Sequence, residues 1–237
     1  MTETAGEPNW ASAPIDEQAD DAAALLRALD LDPGVAYGNS QGATILTNLV
    51  LRHPDVLRAA ILHEPPYFAV SSNPDAVMAG LQTIVEQGMA EGGPRRAMER
   101  FLRHFVGDVA YESCDPEMRE RMLGNGETLF GIEMEGVFAY MPPSEQLGQV
   151  RLPCVVAAGV DNRDREAIHH WMYEASRWLA SELGASFIET PGAHVPQFTH
   201  PQALAEILRP LIDKFTKPDA GGRVPASTAP AADTQRP

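Results

Sequence analysis

The segment Val35 to Thr47 contains a serine whose neighbours favour nucleophilic chemistry. Gly38, Ser40 and Gly42 form the pattern Gly-x-Ser-x-Gly at the point where a short apolar run passes into a helical one. This pattern is typical of a nucleophile elbow, a tight strand-to-helix turn that exposes the serine hydroxyl. The glycines allow a strained turn and close packing of the helix, and the Gln41 N–H at the helix start is placed to hold a developing oxyanion.

A base for this serine is predicted at His194, on a loop with Gly and Pro that follows the short apolar run ASFIET. In this chemistry the histidine takes the Ser40 proton on attack and returns it to the leaving group, while a carboxylate fixes the histidine tautomer. His200, at the start of the last helix, is the local alternative to His194 and is interpreted as structural.

Three carboxylates compete for the third role. Asp161 and Asp164 follow the strand predicted over 150–159, and side chains at the carboxyl ends of parallel strands face the usual active crevice. Glu64, in LHEPP, directly follows the strand after the nucleophile helix, which is also a geometrically suitable place. Asp161 is the first choice for the acid, with Asp164 and Glu64 as alternatives.

The remaining pattern predicts an α/β fold. Helical spacing begins at Ile15, resumes after Ser40 as far as Pro54, and returns from about Arg165 to Leu183. Apolar runs between these segments predict about four strands of a mostly parallel sheet. The stretch 67–149 has helical spacing without a strand signal. It is interpreted as a cap whose Met122, Phe130, Phe138 and Tyr140 either suit an apolar acyl or aromatic substrate or simply pack against other helices.

Composition narrows the function classes. The formal net charge of −15 disfavours nucleic acid as a partner, and no basic stripe is interleaved with aromatic residues. A leader peptide or an apolar run long enough for a membrane span is not recognised, so a cytoplasmic protein is expected. The head, 1–14, is expected to be irregular or disordered, and the tail, 217–237, rich in Pro, Ala and Gly, is expected to be disordered.

Taken together, GNSQG, HEPP, the strand followed by Asp161, and PGAHVPQFTHP resemble the α/β-hydrolase family, in particular small cofactor-free bacterial esterase-like members. The resemblance implies a three-layer core over 15–66 and 150–216 with a cap over 67–149. It also implies the chain order Ser40, acid, His194, a small-molecule acyl substrate, and no metal or organic cofactor. In many family members the acid is the last residue of a Gly-x-x-Asp pattern that follows the strand, and in this sequence that position is Asn162.

One departure from the family concerns the residues before Ser40. Members normally carry four strands before the nucleophile strand, with a His-Gly loop that supplies a second oxyanion donor. Only 34 residues precede Val35 here, and most of them have a helical pattern. The resemblance therefore implies an N-terminally truncated sheet, impaired activity, and an exposed strand edge open to pairing with a second copy of the chain.

The function predicted from these residues is hydrolysis of an ester or related acyl bond through an acyl-enzyme. Two alternatives stay open: a truncated, non-catalytic binding module on the same fold, and an acyltransferase or perhydrolase that delivers the acyl group to another acceptor.

Overall fold

The computed structural model describes residues 12–216, and within them the sheet has four strands. Their bounds are β1, Gly34–Asn39; β2, Leu57–His63; β3, Cys154–Gly159; and β4, Ser186–Thr190. The strands run parallel in the order β1-β2-β3-β4. The number of strands and their direction agree with the prediction, although β3 begins at Cys154 rather than near Val150.

Helices connect and cover these strands. They are α1, Ile15–Ala28; α2, Gln41–Arg52; α3, Pro74–Val106; α4, Asp108–Ser113; α5, Pro116–Gly124; α6, Gly126–Thr128; α7, Met134–Ala139; α8, Ser144–Leu147; α9, His170–Leu183; α10, Pro196–Thr199; and α11, Pro201–Thr216. A π-helical turn, Leu129–Glu133, joins α6 to α7. The helix predicted from about Arg165 begins instead at His170, because the residues before it form turns.

The core lies between the sheet and the helices α1, α2 and α9. A cluster of buried residues brings Ala19 and Ala23 of α1 and Leu49 of α2 against alternate residues of β2, such as Ala60 and Leu62. Alternation along a strand places every second side chain on one face, so the intervening residues of β2 face the other side. Helix α11 contacts β1 and β2 but has no residue in this cluster, so it covers the opposite face of the sheet. The sheet with helices on both faces makes three layers.

All the regular elements between β2 and β3 are helical, and α3 to α8 lie in this segment. Helix α3 is interrupted at Gly92 and Gly93, which have non-helical backbone angles, and Pro94 begins its second half. Proline suits a first helical turn, where its missing N–H has no intrahelical partner. The second half of α3 carries Phe101 and Phe105, both of which reach the candidate site.

Strand β1 is one of the two edge strands of the sheet within residues 12–216, and all but one of its six residues are partly exposed. The predicted pairing of this edge with a second chain remains a prediction. No helix among the described residues is long and apolar enough to cross a membrane. Most of the predicted irregular head and the whole predicted disordered tail lie outside those residues.

Candidate active site

The parallel register of the strands places the candidate residues together at the carboxyl end of the sheet. Asn39 of β1 pairs with His63 of β2, so the residues that follow them, Ser40 and Glu64, leave neighbouring strands at the same level. Strands β3 and β4 end at Gly159 and Thr190, at the same carboxyl end of the sheet, and the loop after Thr190 carries His194. Side chains that are distant in the chain therefore meet at the carboxyl ends of the strands.

Ser40 occupies a strained turn between β1 and α2. Its backbone angles are φ 57° and ψ −127°, a region that residues other than glycine seldom adopt. The turn is held by hydrogen bonds on both sides: the Ser40 amide donates to the His63 carbonyl at 2.9 Å, and the Ala43 amide donates to the Ser40 carbonyl at 2.8 Å. Strain of this kind persists only where surrounding contacts enforce it, and it is common at functional sites.

The two glycines of the motif have different roles. A Cβ on Gly38 would lie 2.4 Å from the Gly42 carbonyl oxygen, so only glycine permits this close approach. Among residues 12–216, a Cβ on Gly42 would meet no atom within 4 Å, leaving aside its two chain neighbours and the backbone of its own helix. The sequence-based interpretation that both glycines are needed for close packing therefore holds for Gly38 and is wrong for Gly42.

The Gln41 amide is the first N–H of α2, and it donates no hydrogen bond within the described part of the chain. A free amide at a helix start is suited to a negatively charged oxygen. The Gln41 side chain is engaged elsewhere, because its Nε2 donates to Gln18 Oε1 at 3.3 Å and to Glu133 Oε2 at 3.0 Å. Glu133 thus fixes the elbow residue to the helical segment.

His194 is 3% exposed and pairs with Glu64, which is fully buried. His194 Nδ1 lies 2.9 Å from Glu64 Oε2. The other carboxylate oxygen, Oε1, accepts from the Gly159 amide at 2.8 Å and from Asn162 Nδ2 at 2.9 Å. Because an ionised carboxylate is acceptor-only, His194 Nδ1 must carry the proton, and Nε2 is left as the acceptor for a serine proton.

The structure corrects the order of preference among the acids. Asp161, the first choice from sequence, is exposed, and no side-chain hydrogen bond joins it to His194 among the described residues. Asp164 is also exposed, and its Oδ1 caps a turn by accepting from the Glu166 amide at 3.0 Å. The physical reason is register: Glu64 directly follows the strand beside β1, whereas the turn after β3 carries Asp161 outward into solvent.

The pKa of the Glu64 carboxyl group is set by opposing effects. Burial would raise the pKa of the Glu64 carboxyl, but the hydrogen bond and charge interaction with His194, with smaller contributions from His63 and the Asn162 hydrogen bond, outweigh it and hold that pKa below its ordinary value. The carboxylate is thus ionised at neutral pH. Asn162, which stands where the family pattern expects an aspartate, donates to this carboxylate instead of replacing it.

A second polar cluster holds the His194 loop in place. Asn39 Nδ2 lies 2.9 Å from the His194 carbonyl oxygen and 2.6 Å from His63 Nδ1, while Asn39 Oδ1 accepts from Gln197 Nε2 at 3.0 Å. Burial lowers the pKa of His63 to about 4, so this imidazole is neutral near pH 7. Its Nδ1 is then the acceptor, and its Nε2–H donates to Thr190 Oγ1 at 2.9 Å.

Two cavities open onto Ser40. Ser40 and His194 both line one of about 170 Å³, and Ser40 with Gln41 lines another of about 250 Å³. Of the four candidate cap residues, Met122 lines the smaller cavity and Phe138 the larger. Phe130 packs edge-on against Phe101 with ring centroids 5.7 Å apart, and Tyr140 packs against the main core.

Three residues at the site were not predicted from the sequence: Phe101, Phe105 and Asn39. Phe101 and Phe105 line both cavities, and Phe105 packs with its ring centroid 5.1 Å from that of His194. Asn39 lies inside the serine motif, but nothing in the motif indicates its partners. Residues 12–216 contain no group of three or more His, Cys, Asp or Glu side chains that could hold a metal ion.

The chain is similar to known hydrolases. A model of the alpha/beta hydrolase family matches residues 5–207. An uncharacterized hydrolase of Bacillus subtilis strain 168, YraK, is 25% identical over 207 residues, which cover 86% of this chain and 72% of the relative.

Two solved structures share the fold. One is Est816, described as an N-acyl homoserine lactone degrading enzyme, with a TM-score of 0.62 and 23% identity over 86% of this chain and 77% of the other. The second is a thermophilic esterase from Thermogutta terrifontis, with a TM-score of 0.64 and 19% identity over 87% of this chain and 74% of the other. The family match over most of the chain confirms the resemblance seen in the sequence: this protein belongs to the alpha/beta hydrolase family.

Proposed function

We propose that this chain is a serine hydrolase that cleaves an ester or related acyl bond with Ser40, His194 and Glu64. The observation that carries the proposal is the buried pair of Glu64 and His194, at the wall of a cavity that Ser40 also lines. A buried carboxylate–imidazole pair beside a partly exposed serine in a strained turn is the arrangement that nucleophilic acyl transfer needs. The hydrolase relatives favour the same reaction class.

In the first half of the reaction, Ser40 Oγ attacks the substrate carbonyl carbon and its proton passes to His194 Nε2. The carbonyl oxygen becomes an oxyanion that the free Gln41 amide stabilises. Glu64 stabilises the imidazolium through its bond to Nδ1–H and keeps the ring in the tautomer that can accept. The bond to the leaving oxygen then breaks, and His194 Nε2–H protonates that oxygen to release an alcohol.

In the second half, water replaces the alcohol. His194 Nε2 removes a proton from the water as its oxygen attacks the acyl-enzyme carbonyl, and the same amide holds the second oxyanion. When this intermediate collapses, Ser40 Oγ leaves and recovers a proton from His194. The products are a carboxylic acid and the regenerated enzyme.

The test is covalent labelling of the full chain with a fluorophosphonate probe, together with hydrolysis of p-nitrophenyl esters. We expect labelling at Ser40 and turnover in the wild-type protein, and loss of both in Ser40→Ala. Ser181→Ala, an exposed serine on α9, is the matched control and should behave as wild type. Folded protein that neither labels nor hydrolyses, or a Ser40→Ala variant that labels as wild type does, would overturn the proposal.

A further inference from the structure

The two cavities at Ser40 are separated by a pair of aromatic side chains. Phe101 and Phe105 line both of them, and apart from Ser40 they are the shared residues. The two rings contact each other with centroids 4.8 Å apart. Ser40 therefore stands at the junction of two separate spaces, which we call the small cavity, of about 170 Å³, and the large cavity, of about 250 Å³.

Each space has its own apolar wall. Leu102 and Met122 line the small cavity, and Leu129 and Met134 line the large one. None of the described residues that line either space is Asp, Glu, Lys or Arg. An ionised substituent would lose its hydration there without gaining a partner, so both spaces favour uncharged, apolar groups.

The catalytic groups differ between the spaces, and this fixes which part of a substrate belongs in each. His194 lines the small cavity and not the large one, whereas Gln41 lines the large cavity and not the small one. The leaving oxygen must lie within hydrogen-bond reach of His194 to receive its proton. The alcohol portion that this oxygen carries must then extend on the His194 side, and the acyl chain takes the remaining direction.

We propose that the substrate is an uncharged ester whose alcohol portion binds in the small cavity and whose acyl portion binds in the large cavity, with Phe101 and Phe105 as the partition. This inference rests on the proposed function and deepens it. A cavity of about 150 Å³ is enough for benzene, so the small cavity accommodates about one aromatic ring of the alcohol portion. The acyl portion is somewhat larger.

The chain offers a matched pair of variants to test this. Of these two cavities, Met122→Ala enlarges the small one and Met134→Ala the large one, and neither residue belongs to the catalytic machinery. The assay measures kcat/KM on two ester series: one acyl group with methyl, benzyl and naphthylmethyl alcohols, and one alcohol with acetyl, butyryl, hexanoyl and octanoyl groups. A monoester carrying a free carboxylate serves as the charged comparison.

We expect Met122→Ala to raise kcat/KM for the naphthylmethyl ester about tenfold relative to the benzyl ester, and to leave the acyl profile unchanged. Met134→Ala should shift the acyl preference toward longer chains and leave the alcohol profile unchanged. The charged monoester should be the poorest substrate of each series. Leu102→Ala and Leu129→Ala form a second pair with the same expectations, should a methionine variant fail to fold.

The assignment would be overturned if Met122→Ala changed the acyl profile and Met134→Ala the alcohol profile, or if both variants changed the same profile. In that case Ser40 labelling and ester turnover would leave the proposed function intact. Equal turnover of the charged monoester would overturn the claim of an uncharged substrate in the same way. Absence of Ser40 labelling and of all ester turnover would overturn both the assignment and the proposed function.

Discussion

A carboxylate without contact to water is costly unless its oxygens are well hydrogen-bonded, and Glu64 meets that condition with three donors. One donor is a backbone amide, one a neutral side chain and one the imidazole of His194. Two of the three lie on or just after β3, so the strand that was expected to supply the acid supplies its support instead. The buried Glu64 carboxylate therefore depends on two neighbouring strands at once.

The first prediction concerns Glu64 itself. Glu64→Gln keeps the shape of the side chain but removes the charge that orients His194 Nδ1–H, and we expect kcat to fall about 10³- to 10⁴-fold. The matched control is Asp161→Asn, which should stay within about threefold of wild type because Asp161 is exposed and unpaired with His194 among the described residues. Ester hydrolysis with a thermal melt of each variant is the measurement. A loss larger in Asp161→Asn than in Glu64→Gln would restore the sequence-based choice.

At this scale, the sequence predicted Ser40 and His194 as two of three candidate residues, and the structure places both at the wall of one cavity. Ser40 and His194 are indicated by a motif and by a loop position that depend on local order in the chain. The acid depends on which loops meet at the end of the sheet, and that is a tertiary property. One local signal was available: the family position for the acid is occupied by Asn162, which carries no charge. Asp161 and Asp164 beside it nevertheless left the choice among the three carboxylates open.

Among the elements, the elbow joining β1 to α2 depends on its first glycine. We expect Gly38→Ala to lower the melting temperature strongly or to prevent folding, because its methyl group would overlap the Gly42 carbonyl. Gly42→Ala is the matched control; it should keep the fold and gain up to about 1 kcal/mol of helix stability, since nothing crowds that position. Thermal unfolding of both variants decides the point. Equal destabilisation of the two would contradict the different roles of the glycines.

Asn39 joins three elements, since it lies at the end of β1 and contacts β2 and the loop after β4. We expect Asn39→Ala to lower kcat by about 10- to 100-fold with little change in KM, because the His194 loop loses a backbone tether. Gln197→Ala removes only one exposed hydrogen bond of the same cluster and should cost less than about threefold. Steady-state kinetics of both variants is the check. An increase in KM alone would point to a binding role for Asn39 rather than a positioning role.

Element boundaries show why some features escaped sequence analysis. The pattern VRLPCVVAAG reads as one apolar run, but β3 begins only after Pro153, and a proline cannot donate to the strand ladder. Likewise the helical spacing after Arg165 includes turns before α9 begins at His170. Long, strongly periodic segments such as α2 and β2 matched closely, since their apolar faces are buried against the core.

In the whole molecule, the parallel sheet brings residues from three distant segments together at one site. The same packing buries the imidazoles of two further histidines. His63 is fully buried and His169 is 7% exposed, and His169 Nε2 has no hydrogen-bond partner among the described residues. Burial lowers the pKa of His63 to about 4 and that of His169 to about 3. Both side chains are therefore neutral in the folded protein across the mildly acidic range.

This gives a prediction for stability against pH. An unfolded histidine binds a proton below about pH 6.5, whereas these two do not until about pH 4 or lower when folded, so the unfolded state binds more protons in between. Stability must then fall as pH decreases. Between pH 7.5 and 5.5 each histidine should cost about 1 kcal/mol of unfolding free energy, a range in which the ordinary carboxyl groups remain ionised.

His169→Phe isolates one of these contributions, because it removes the titrating group while keeping an aromatic ring against Phe105, whose centroid is 4.9 Å from that of His169. The effect of pH on the net charge of −15 is common to both proteins and cancels in their comparison. Urea unfolding at pH 7.5 and 5.5 should show that the variant loses about 1 kcal/mol less than wild type on acidification. Equal losses in the two proteins would mean that His169 titrates alike in the folded and unfolded states, contrary to its burial.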